Sequence, residues 1–246
     1  MNEKEIYEKL KYCLENNIKI SKSLLIDYIN LLIDKYKLKD EVSNLYFDCN
    51  NDDANGLYND TNKQLFINYN RISKDYNDEL FNMKILSTIF HELTHVCQFN
   101  IYKNPETLDE VFKDFYLNLQ LTFNIPDTDE DYYLENYDDF IFENQARINS
   151  IFKLMFLMEK LNIDDKLEYV NRILAKIILN IYKDNSPLDK SINLLQEQNI
   201  NFNINNINID NYHKIIFGYP IDNETIETIK NISKNKIKTK NILNNI

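Results

Sequence analysis

Two of the three histidines of the 246-residue chain stand in His91-Glu92-Leu93-Thr94-His95. On a helix, positions i and i+4 share a face, so both imidazoles can reach one metal ion. Glu92, about 100° further round such a helix, flanks the ion without ligating it, where it can take a proton from water on the metal. Zinc lowers the pKa of that water to about 7, so hydroxide is available at neutral pH to attack a polarised carbonyl. Random placement of so few histidines yields this pattern roughly once in several hundred such chains.

The elements around the motif must present it. With His91 at 0°, His95 falls near 40°, while Leu86, Ile89, Phe90, Leu93 and Cys97 gather between about 160° and 260° as an apolar back. Ser87 and Gln98 return to the histidine face. Asn77-Asp78 offer N-cap residues, so the spacing predicts a helix from there to about Gln98. Before it, Ile6, Leu10, Leu14, Leu24, Leu25, Tyr28, Leu31 and Leu32 recur at helical spacing over residues 3–37, as two helices or one interrupted near Asn16-Asn17. Val42–Phe47 reads as a strand and Asn50–Gly56 as a turn. Leu57-Tyr58 and Gln64–Tyr69 flank Asn59–Lys63 as a hairpin. After the motif, helices are expected at about 106–122, 129–161 and 164–183, with one more starting at Pro187. Residues 200–209 alternate as strands or form a loop. Lys230–Lys240, with five lysines and no acid, reads as a solvated helix or tail.

The expected class is α+β and predominantly α. A small antiparallel sheet of about three strands packs on the motif helix and a following glutamate-bearing helix. Residues 1–162 are expected to form the main domain, and 163–246 a helical C-terminal extension packed on it.

Zinc needs a third protein ligand. A histidine six residues beyond His95, with glycine three beyond, is ruled out by Ile101 and Gln98. Cys97 lies on the apolar back, and His213 is far away in an Asn-rich stretch. The remaining candidates are Glu106, Glu110, Glu130, Glu135 and Glu143. We choose Glu143, on a stripe with Asp139, Arg147 and Ser150, where small Ala146 admits close helix approach. Arg147 can hold the carboxylate, and Asp139 can orient a ligating histidine from behind. The bland alternative is an exposed Glu–Arg pair one turn apart.

Composition narrows the field further. With 39 acidic against 28 basic residues, the net charge of −11 argues against a nucleic-acid partner. Two glycines, Gly56 and Gly218, cannot build a phosphate loop or a dinucleotide fingerprint. No run of about 18 apolar residues exists to span a membrane. A polar start and three dispersed cysteines point to a cytoplasmic, reducing setting. Asparagine, about one residue in six, reads as codon bias rather than chemistry.

His91-Glu92-Leu93-Thr94-His95 with Gln98, followed by Glu143, Ala146 and Arg147, resembles the gluzincin-type zinc metallopeptidases over about residues 42–160. The resemblance implies a zincin-like fold and one zinc ion per chain. It also implies His91, His95 and Glu143 as ligands, Glu92 as general base, and a peptide or protein substrate. It further implies an oxyanion-stabilising side chain, for which Tyr132, Tyr133 and Tyr137 lie on the right segment. The strand at Gln64–Tyr69 is the edge expected to take an extended substrate. Two other readings stand beside this one: a catalytically silent zincin-like interaction module, and a zinc hydrolase of a non-peptide amide.

Overall fold

Asn2 opens the first helix with a reciprocal capping box: its side chain accepts from Glu5 N–H while Glu5 reaches back to the Asn2 N–H. From there the computed structural model describes residues 1–48, 54–103 and 141–181. The elements are α1 (Glu3–Glu15), α2 (Lys22–Lys35), β1 (Asn44–Phe47), β2 (Gly56–Asn59), β3 (Gln64–Ile67), α3 (Tyr69–Asp75) and α4 (Asp78–Lys103). They are followed by α5 (Ile141–Leu161) and α6 (Asp164–Ile181). The protein is α+β and mostly helical, with a small three-stranded mixed sheet among the described residues. Among the described residues no helix is long and apolar enough to cross a membrane. The helices expected at 106–122 and after Pro187, the strands at 200–209 and the lysine-rich end lie outside the described residues.

Residues 3–37 form two helices, and the break falls at Asn17, whose φ is 52°. There the Ile18 N–H reaches back to the Cys13 carbonyl at 2.9 Å. Lys37 (φ 56°) ends α2 and Asn162 (φ 53°) ends α5 in the same way. Leu38 N–H bonds Ile33 O at 2.9 Å, and Ile163 N–H bonds Met158 O at 3.0 Å. Glycine is the usual residue at such left-handed helix ends. A chain with only two glycines uses Asn and Lys there instead, at a cost of about 1–2 kcal/mol per position.

The sheet departs from the all-antiparallel expectation. Its order is β1-β3-β2: β2 pairs antiparallel to β3, and β1 pairs parallel to it. The end of β1 and the start of β2 both lie opposite Ile67, through Phe47↔Ile67 and Gly56↔Ile67. The chain therefore needs only to cross the end of β3 to begin the hairpin, so no long crossover is required. This places β3 in the centre, so it is not the edge expected to receive a substrate; the edges are β1 and β2. Nor does β3 continue to Tyr69. Asn68 accepts from Arg71 N–H at 3.3 Å and caps α3, a helix that the apolar periodicity does not reveal.

The described residues belong to two compact units. The first comprises Met1–Lys103 with Phe152–Leu167. Its core joins the inner sheet residues Leu65, Ile67 and Tyr58 to Leu10, Leu25, Ile29, Phe81, Ile85, Leu86 and Ile89, all buried. Tyr28 meets Phe90 edge-on at 6.2 Å and Tyr7 at 6.1 Å. The second unit comprises residues 104–151 and 168–246, described at Ile141–Ile151 and 168–181. There Arg172 pairs with Glu168 one turn back at 2.7 Å.

One asparagine carries structural weight. Asn82, 1% exposed on α4, accepts from Ile20 N–H at 2.9 Å and donates to Ile18 O at 2.8 Å, tying the α1–α2 link to α4. Asn82→Ala leaves the buried Ile20 N–H without its acceptor and the part-buried Ile18 carbonyl without its donor, and should lower unfolding free energy by about 1–3 kcal/mol in urea denaturation. Exposed Lys37 gives the opposite expectation: Lys37→Gly relieves its left-handed backbone and should raise stability by about 0.5–1 kcal/mol in the same assay.

Candidate metal centre

α4 carries the whole histidine motif. Its first turn is capped by Asn77, whose Oδ1 accepts from Leu80 N–H at 3.0 Å, and it runs five residues beyond Gln98 to Lys103. The apolar back expected from the helical wheel is present: Leu86, Ile89, Phe90 and Leu93 are buried, and Cys97 is partly buried. The opposite face, however, is covered as well, with Thr88, Glu92 and Gln98 all buried. A helix enclosed on nearly every side shows little amphipathic contrast, because its surroundings rather than solvent receive its polar groups.

Those polar groups are organised around His95. Its Nδ1 lies 2.8 Å from Gln98 Oε1. An amide oxygen only accepts, so Nδ1 carries the proton and His95 Nε2 presents its lone pair. That lone pair points at His91: the two Nε2 atoms stand 3.0 Å apart, with the rings edge-to-face at 87°. Two nitrogens on one tetrahedral zinc ion, each at about 2.0–2.1 Å, stand about 3.3 Å apart. The pair is therefore within a few tenths of an ångström of the separation that a shared ion requires.

Glu143, in the first turn of α5, is 5% exposed. Among the described residues, His91, His95 and Glu143 form a group whose ligand atoms all lie within 4.8 Å of one another. Two neutral imidazoles and a carboxylate make a donor set that suits zinc and is used in catalytic zinc sites. Cys97 is not in that group. Burial pushes its thiol above the usual range, as expected of a small core residue.

The other expected site residues divide. Gln98 takes the supporting position behind His95. Arg147 lies on α5 one turn after Glu143 and is partly buried, and its carbonyl accepts from Ser150 Oγ at 2.7 Å. Phe142, Gln145, Ala146 and Ile148 around it are all buried, so this turn of α5 is not the exposed surface that a simple Glu–Arg pair would occupy. Asp139, Glu106, Glu110, Glu130, Glu135, Tyr132, Tyr133, Tyr137 and His213 lie outside the described residues.

One participant escapes a reading by residue type. Gly56, at the head of β2, packs directly on α4, and a Cβ there would stand 2.7 Å from Glu92 Cγ. Taken as part of a turn, it is instead the residue that lets strand backbone approach Glu92. Its rarity was the available signal: in a chain with two glycines, one placed inside a strand marks a close approach.

The His95–Gln98 contact yields a measurable expectation. Gln98→Leu removes the acceptor that sets the tautomer, and zinc affinity measured by competition with a chromogenic chelator should fall about 10–100-fold. Unchanged affinity would show that His95 is oriented without Gln98. In comparisons with known proteins, the chain matches no family model, and no curated protein or solved structure is similar to it.

Proposed function

We propose that the protein is a zinc-dependent peptidase of zincin-like architecture, resembling the gluzincins. His91, His95 and Glu143 hold the metal, and Glu92 is the general base. The observation that carries this reading is the His91–His95 pair, with Nε2 atoms 3.0 Å apart on one helix and the buried Glu92 carboxylate on the same helix. A histidine pair alone would suit a structural ion. A carboxylate adjacent in sequence, buried but outside the donor group, suits proton transfer.

Zinc, when bound, supplies Lewis-acid polarisation of the scissile carbonyl and brings the pKa of water near 7. The chain's own residues do the rest. Gln98 holds His95 in the tautomer whose Nε2 carries a lone pair for a metal ion. Glu92 accepts the proton of the attacking water at a carboxylate oxygen and returns it to the leaving amine. Substrate would add to β2, whose far side faces no other strand among the described residues and whose first residue touches Glu92.

Elemental mass spectrometry of purified protein, together with hydrolysis of fluorescently labelled casein, tests the reading. Wild type should hold about one zinc per chain and cleave casein. Glu143→Ala should lose most of the metal, while Glu92→Gln should keep it and lose about 10²–10⁴-fold in kcat. Wild type without zinc after incubation and removal of excess would sink the proposal. Zinc retained in Glu143→Ala would move the third ligand elsewhere. Zinc without casein cleavage would favour a silent module or a hydrolase of a non-peptide amide.

A further inference from the structure

The glycine at the head of β2 is required by space, not by backbone conformation. Its φ lies outside the left-handed range, so alanine would meet no torsional obstacle there. What alanine would meet is α4. A Cβ at position 56 would lie 2.7 Å from Glu92 Cγ, 2.8 Å from Glu92 Oε1 and 2.8 Å from Thr88 Cγ2. All three distances are shorter than real side chains tolerate, and two of the three atoms belong to Glu92. Both Glu92 and Thr88 are 6% exposed, so neither side chain has open solvent to swing into. A methyl group at 56 must therefore displace the Glu92 side chain, or push strand and helix apart.

We propose that Gly56 is a positioning residue: the bare backbone of β2 is the wall against which the Glu92 side chain is set, and any side chain at 56 dislodges it. The proposal rests on the reading of Glu92 as the proton-transferring group. It adds that the sheet, and not α4 alone, sets where that group stands. Gly56 acts only through Glu92 and does not itself need to touch substrate.

Zinc-loaded Gly56→Ala, assayed on labelled casein, should keep about one zinc per chain and a KM within about twofold of wild type. Its kcat should fall about 10²-fold, the scale of a catalytic group misplaced by about 1 Å. Undiminished kcat would overturn the proposal while leaving the peptidase reading intact. A second measurement does not depend on activity: the loss of Tm caused by Gly56→Ala, compared in wild-type and Glu92→Ala backgrounds. Removal of Cγ and the carboxylate should cut that loss by more than half, or restore folding if Gly56→Ala alone does not fold. An equal loss in both backgrounds, or failure to fold in both, would show that the methyl is rejected by something other than Glu92 and would overturn the proposal. If wild type holds zinc but leaves casein intact, the peptidase reading fails on its own. The Tm comparison then decides whether Gly56 sets Glu92.

Discussion

A buried helix that carries two imidazoles, a carboxylate and an amide is stable only if each polar group is received by a partner, since an orphaned polar group costs about 1–3 kcal/mol in the interior. That constraint governs α4 and much of the architecture around it. Gln98 receives His95, and the two histidines face each other at 3.0 Å. Thr94 returns its hydroxyl to the Phe90 carbonyl at 2.8 Å, so it makes no demand on a neighbouring element. Asn82 turns the requirement outward and satisfies the backbone of the α1–α2 link. The helix that carries the histidine motif is thus also a helix on which the first unit is assembled, with β2, β3 and α3 packed against it.

Scarcity of glycine shapes the rest. Left-handed positions at helix ends normally fall to glycine, and here Asn17, Lys37 and Asn162 fill them. Gly56, by contrast, stands where a Cβ would collide with neighbouring side chains, because a strand backbone approaches a buried glutamate. Conformational strain at an exposed helix end costs about 1–2 kcal/mol and can be borne. A steric collision in a core has no such relief, since interiors are close-packed.

Much of the helical architecture was legible because its signals are local. The cap of α4, the break near Asn17 and the i, i+4 histidine spacing depend on neighbours within a turn or two. The sheet was legible only as three strands. Hairpin chemistry identifies β2 and β3 as partners, but nothing in β1 states which edge it joins, because a four-residue strand carries no register information of its own. The helix at α3 was missed since its seven residues bury only Ile72, too little for a periodic pattern.

The candidate site divides along the same line. The sequence by itself determined that His91, Glu92 and His95 share one helix, because a four-residue spacing translates into a fixed angular relation wherever the helix goes. It also identified Gln98, which lies one turn from His95 and is governed by the same geometry. The helical stripe with Arg147 and Ser150 favoured Glu143 among several glutamates, but only tertiary structure brings its carboxylate and the histidines within 4.8 Å, since Glu143 is 48 residues from His95. Tertiary structure alone brought Gly56 to Glu92 as well. Distance along a helix is set by covalent geometry, whereas proximity between elements is set by packing, which no single segment of the chain encodes.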